Sequence, residues 1–230
     1  MRILAIDTST KNFSLAVADG DKILHCRNIV LTRVLSSSII PAIDRILRLS
    51  SLSLRRIDGF AVGLGPGSFT SLRVGLATVK AFCFATGKPL VGISSQDVLA
   101  MNALGQGTHQ ICTICDAKRQ LVYACRYTEC NGKLRKKSPY LLVPLEEFLQ
   151  QVEGEALFLG DAVGMYRDEI LGVARKTAKF KPVFIDEKKW FPHAKNLIPL
   201  AMIRFQKKKY DNIDTLVPIY LYPHDCQIRR

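Results

Sequence analysis

Gly63-Leu64-Gly65-Pro66-Gly67-Ser68-Phe69-Thr70-Ser71-Leu72-Arg73-Val74-Gly75 is the stretch on which the reading of this chain turns. An apolar run, Ile57 to Gly63, predicts a buried strand ahead of it. A helix is predicted from about Ser68 to Ala85, stopped by Gly87-Lys88-Pro89. Three glycines and a proline make the turn between them. Glycine allows positive φ and close backbone approach, and Ser68 or Thr70 can cap the helix start. The amides of that helix end could bind an anion; the plainer reading is a tight turn with no ligand. It is not a nucleotide loop of the Gly-Lys-Ser/Thr type, because no such triplet follows the glycines.

The helix after the turn says more. From Thr70 to Ala85 it carries two charges, Arg73 and Lys80. Ser71, Gly75 and Thr78, continued by Phe82 and Ala85, form one stripe of mostly small residues; Val74, Ala77 and Ala81 form another. A helix that is apolar or small nearly all round must be covered on most sides. One face can cover a sheet, and the opposite face then calls for a partner protein. The competing reading is a helix sandwiched inside one larger domain.

Working outward, Ile3 to Asp7 reads as a central strand, Phe13 to Ala18 as a second and Lys22 to Val30 as a third, joined by the polar turn 8–12 and by Asp19-Gly20-Asp21. A helix with Leu35, Ile39, Ile43, Ile46 and Leu47 on one face follows, with Pro41 either kinking it or in its first turn. Leu90 to Ile93 is a short strand, and Ser94-Ser95-Gln96-Asp97 opens a helix through Leu104. Gly105-Gln106-Gly107-Thr108 is the best linker. Strand signals restart at Ile111–Cys115 and Leu121–Tyr127; Pro144 to Val152 and Ala194 to Lys209 read as helical, and Ala156 to Leu159 as a strand. The order predicts an α/β protein of two lobes, residues 1–105 and 106–230, each a mixed sheet flanked by helices.

The 230 residues hold 33 Lys and Arg against 20 Asp and Glu, a net charge of +13, and 48% of them are hydrophobic. That excludes a disordered chain and makes contact with a polyanion, RNA above all, worth testing. Seven cysteines, an odd number at irregular spacing, point to reduced, mostly buried thiols in the cytoplasm. No run approaches the roughly twenty apolar residues of a membrane-spanning helix, and the N-terminal apolar run is too short for a signal peptide.

Ile3-Leu4-Ala5-Ile6-Asp7-Thr8-Ser9-Thr10, the 63–75 block, Asp116-Ala117-Lys118-Arg119 before Val122-Tyr123, Gly160-Asp161 and Pro218-Ile219-Tyr220-Leu221 occur in the order seen in the bacterial TsaB (YeaZ) family, which the chain resembles over nearly its whole length. The resemblance implies the actin/hexokinase-like (ASKHA) fold. It also implies a non-catalytic subunit of the machinery that makes threonylcarbamoyladenosine (t6A) in tRNA. The expected partners are the catalytic paralogue TsaD, the ATPase subunit TsaE and, in many members, a second copy of the chain. Contact with tRNA is expected to be indirect or weak, and none with a membrane. No cofactor is implied for this subunit, and ATP or ADP at the partner interface stays open. Docking through the first lobe's helices implies Thr70, Ser71, Val74, Gly75, Thr78 and Phe82, with Ile39 and Ile43, as interface residues. Asp7, Thr8, Ser9, Gly65, Pro66, Gly67, Ser68, Phe69 and Arg73 are the family motif and structural turn. The sequence departs from the family at Leu35, where a His is common, at Leu121, where an acid is usual, and at Tyr222, where the familiar Tyr-Leu-Arg ends in Arg.

Few residues of the chain are arranged for chemistry of their own. The paralogue's metal-binding His-x-x-x-His has no counterpart among His25, His109, His193 and His224. Asp7-Thr8-Ser9-Thr10 could be the relic of a phosphate-binding turn; local hydrogen bonding is the plainer reading. Cys112 and Cys115, with Cys125 and Cys130, could be imagined around zinc, but residues three apart on a strand point to opposite faces. Lys133-Leu134-Arg135-Lys136-Lys137, Lys188-Lys189, Lys207-Lys208-Lys209 and Arg229-Arg230 are basic clusters without interleaved aromatics. The alternative to a binding subunit is an ATP-dependent kinase or ATPase of the same fold.

Overall fold

The computed structural model describes residues 1–30, 34–107 and 110–222. Thr108 of the expected linker, His109, His224, Cys226 and the Arg229-Arg230 cluster lie outside the described residues.

The first compact unit comprises Met1–Val98 and Pro192–Ile219. Strands β1 (Arg2–Asp7), β2 (Asn12–Asp19) and β3 (Lys22–Val30) form an antiparallel meander. Helix α1 (Leu35–Leu49) leads to β4 (Gly59–Gly63), which pairs parallel with β1. Helix α2 (Phe69–Thr86) leads to β5 (Leu90–Ile93), parallel to β4, and the sheet order is β3-β2-β1-β4-β5. Alternation along β1 sends Leu4 and Ile6 to one face and Ile3 and Ala5 to the other. The Leu4 face meets α1 through Leu35, Ile39, Ile43, Ile46 and Leu47, and α2 through Leu76, Val79 and Cys83. Gly87, at φ +66°, ends α2 by donating its amide to the Cys83 carbonyl. Pro41 lies inside α1, beyond its first turn.

The opposite face is lined by small residues, Ala5, Ala16, Ala18 and Ala61, which let a helix approach closely. The short α3 (Ser95–Ala100) contributes Val98 there, and a helix from the far end of the chain supplies Ala194, Leu197, Ile198, Ala201 and Phe205.

The second unit comprises Leu99–Phe191 and the residues from Tyr220 on. Strands β6 (Gln110–Lys118), β7 (Leu121–Cys130), β8 (Lys133–Lys136) and β9 (Leu141–Pro144) precede α4 (Leu145–Leu149) and β10 (Gly154–Leu159). Helix α5 (Val163–Thr177) and β11 (Phe180–Phe184) follow. The sheet runs β11-β10-β6-β7-β8, and β9 pairs the other half of β7's outer edge. Helix α6 (Ala194–Gln206) is the one that returns to the first unit. The division therefore falls at Val98/Leu99 rather than after residue 105, and 192–219 leave the second unit. The cause is the Ala-lined face of the first sheet, which α1 and α2 cannot reach and α6 covers. Two mixed sheets flanked by helices, the first with a three-strand meander and parallel β1-β4-β5, make this the actin/hexokinase-like fold. Cys112, Cys115 and Cys125 belong to the second unit's core, and burial pushes the Cys112 thiol well up. Among the described residues no helix is long and apolar enough to cross a membrane.

Candidate functional site

The turn after β1 and the glycine-rich turn before α2 are clasped together. Asp7 is fully buried, and its Oδ1 accepts hydrogen bonds from the Ser9 amide (2.9 Å) and the Ser9 hydroxyl (2.6 Å). Its Oδ2 accepts from the Ser95 hydroxyl at 2.7 Å. Burial pushes the Asp7 carboxyl above its ordinary value, while the donors from Ser9 and Ser95 pull the other way. The Ser9 carbonyl accepts from the Ser68 amide at 2.8 Å, and a Cβ on Gly67 would lie 2.2 Å from that same oxygen. Ser95 Oγ also accepts from the Gly65 amide at 3.0 Å, and Ser94 Oγ donates to the Gly65 carbonyl at 3.1 Å. Pro66, joined by a cis peptide to Gly65, is buried in the same turn. Ser68 stands at the start of α2, but its hydroxyl donates to Ser71 Oγ (3.0 Å) instead of capping an amide.

A kinase of this fold would be expected to hold phosphate and magnesium at the acidic turn. Asp7 does not fit that group: its carboxylate is enclosed by donors of its own chain, and two of the glycine-rich turn's amides are spent on Ser9 and Ser95.

Helix α2 separates into two sides. Leu72, Gly75, Leu76, Val79 and Cys83 are buried. Phe69, Thr70, Arg73, Ala77, Ala81, Phe84 and Ala85 are exposed, Phe84 with 66% of its surface in water. The Arg73 guanidinium lies over the Phe69 ring, 3.7 Å from its centroid. Neighbouring α1 turns Ile40 (51% exposed) and Leu49 outward.

Several expected interface residues are not on this surface. Ile39 and Ile43 are core residues packed on the sheet. Gly75 is buried against Thr8: a Cβ there would lie 2.3 Å from Thr8 Oγ1, which itself donates to the Ser71 carbonyl at 2.8 Å. Val74 and Phe82 are half-buried against the same core, with the Phe82 ring 5.9 Å from that of Phe60. Thr78 is half-buried and bonds the Val74 carbonyl, and Ser71 is half-buried beside Thr8. Thr70 alone of the eight is exposed. The open face is the other stripe, Ala77 and Ala81, extended by Phe69, Arg73, Phe84 and Ala85. The repeat 69, 73, 77, 81, 85 at four-residue spacing was the signal that could have found it.

A family model described as "TsaD: tRNA N6-adenosine threonylcarbamoyltransferase" matches residues 30–224. The chain is 28% identical over 227 residues to the tRNA threonylcarbamoyladenosine biosynthesis protein TsaB of Escherichia coli, covering 96% of this chain and 94% of that protein. It is 36% identical over 125 residues to TsaB of Haemophilus influenzae, 54% of this chain and 52% of that protein. The solved structure of YeaZ from Pseudomonas aeruginosa superposes with a TM-score of 0.80 at 25% identity, over 96% of this chain and 99% of that one. The chain belongs to the family this model describes and, within it, to the TsaB (YeaZ) proteins.

Proposed function

We propose that this chain is a cytoplasmic, non-catalytic subunit of the machinery that installs threonylcarbamoyladenosine in tRNA, and that it binds the catalytic paralogue TsaD through the open face of α2 with α1 beside it. The observation that carries the reading is the solvent-exposed stripe Phe69, Ala77, Ala81, Phe84 and Ala85 on a helix whose other side is already spent on its own sheet. Alanines at helical spacing let a partner helix come close, and the phenylalanines at the two ends supply apolar area to bury. In isolation the same stripe pairs two copies of the chain, and TsaE joins the pair formed with TsaD.

The enclosure of Asp7 supports a subunit with no resident cofactor; any ATP or ADP belongs at the partner interface. A kinase or ATPase reading would need the Asp7 carboxylate available to phosphate-bound magnesium, and the Ser9 and Ser95 donors occupy it.

Reconstitution tests the proposal. The purified chain alone transfers no threonylcarbamoyl group to unmodified tRNA, and adding it to TsaD and TsaE raises t6A formation. Transfer by the chain alone, or magnesium-dependent ATP binding by the isolated chain in calorimetry, would overturn it.

A further inference from the structure

We propose that the edge strand β8 seats the phosphate backbone of the tRNA; this rests on the t6A reading above. The strand closes the second unit's sheet, pairing on one side with the far half of β7. Lys133, Arg135, Lys136 and Lys137 are all exposed, four cations in five residues, and only Leu134 turns partly toward the core. Strand alternation puts Lys133, Arg135 and Lys137 on one side, about 6.6 Å apart in sequence order. The ladder continues through the Lys137 amide, which donates to the Arg126 carbonyl at 2.8 Å and keeps the third cation in line. Lys136 turns the other way, over the Tyr140 ring at 4.0 Å. Successive phosphates of a nucleic-acid strand are separated by a similar distance, so one row of charges can meet the other.

An edge strand needs a charge to stop it pairing with another sheet, and one lysine suffices for that. Three cations in a row, with no acid among them, exceed the requirement. Two other cations of this unit are paired, Lys118 with Asp116 and Lys181 at 3.6 Å from Glu155; what sets β8 apart from the remaining ones is that its cations stand in line on one strand. Among the described residues none of the three β8 cations, nor Lys137 just beyond the strand, is in an ion pair. The nearest ladder acid, Glu129 opposite Leu134, has an oxygen engaged by the Gly105 amide at 2.9 Å. No large exposed apolar side chain interrupts the strand, which favours a phosphate backbone over a lipid surface.

The test is binding of an unmodified tRNA transcript, followed by fluorescence anisotropy at several salt concentrations. The triple variant Lys133→Gln/Arg135→Gln/Lys137→Gln is compared with Lys207→Gln/Lys208→Gln/Lys209→Gln, which removes the same charge from the first unit. The β8 variant is expected to bind at least tenfold more weakly at low salt. Its plot of log affinity against log salt should be shallower by about 2, from roughly 0.7 to 0.9 per lost phosphate contact. It should keep its melting temperature and its binding to TsaD, which separates this proposal from the subunit reading. Unchanged tRNA affinity and slope would overturn it. So would equal losses in both triples, which would mean net charge alone. No tRNA binding by the unaltered chain, or loss of binding to anionic phospholipid vesicles with tRNA binding intact, would also overturn it.

Discussion

Thr8 fills the space that a side chain on Gly75 would need: its Oγ1 lies 2.3 Å from where a Cβ at residue 75 would stand, and donates a 2.8 Å hydrogen bond to the carbonyl of Ser71 one turn earlier. The turn after β1 is thereby keyed into α2. Gly75→Ala is expected to cost about 1–3 kcal/mol in urea unfolding, the usual range for overpacking a close contact. Thr8→Ala in the same chain removes both the obstructing oxygen and the methyl. The two changes together should then be less damaging than their sum, by about 1 kcal/mol or more. Additive losses would mean that the two residues do not compete for the same space. A larger substitution such as Gly75→Arg meets Thr8 even sooner and is expected to disturb the first unit, so it is no clean probe of partner binding.

The buried Asp7 sets a pH dependence. Its folded carboxyl titrates above the ordinary value of 3.8 because burial disfavours the charge. Between the unfolded and folded values the native state binds more protons than the unfolded one, so stability falls as pH rises through that window. Its contribution is complete below the unfolded value and lost above the folded one. Asp7→Asn keeps an acceptor for Ser9 and removes the ionisation, so its stability profile should be flatter across that window. Chemical denaturation at a series of pH values reads this directly; parallel profiles for the two proteins would contradict the assignment.

The hairpin between β6 and β7 is strained in a way that can be relieved. Lys118, Arg119 and Gln120 all have positive φ, at 66°, 54° and 61°. L-residues disfavour that region by roughly 1–2 kcal/mol each. Gln120→Gly is expected to stabilise the chain by about 0.5–1 kcal/mol, after the extra freedom of the unfolded glycine is subtracted. A loss of stability in thermal melts would show that the Gln120 side chain contributes more than the strain.

How much was legible beforehand can be judged at particular residues. The meander, the glycine-rich turn and a helix starting near Ser68 follow from local chemistry, because strand periodicity, turn residues and stop signals are short-range. The return of α6 to the first sheet was not legible. Its cause, the small side chains of Ala5, Ala16, Ala18 and Ala61 on one face, becomes visible only once the strands are paired. Helix α2 shows the same limit. Its lack of charge announced that both sides would be covered, but two stripes of small residues competed for the outward role. Only Thr8, brought across from 67 residues earlier, decided that Gly75 points in and Ala77 points out. Ile39 and Ile43 lie on the inner face of α1, where packing on the sheet leaves almost none of either exposed.

The open side of α2 tolerates change if nothing in its own chain touches it. Ala77→Arg and Phe84→Asp are each expected to leave stability within about 0.5 kcal/mol, as for exposed sites away from special features. Melting curves of the isolated variants check this. A larger loss would place these residues in the unit's own packing.

The most direct measurement is the affinity of TsaD for the Ala81→Arg chain, taken beside the unaltered chain, with folding verified by melting temperature. Ala81 lies midway along the open stripe, where an arginine would hold a partner helix away and bury a charge against it. The account predicts binding weakened at least a hundredfold with the fold intact. Affinity equal to that of the unaltered chain would contradict docking through this face of α2.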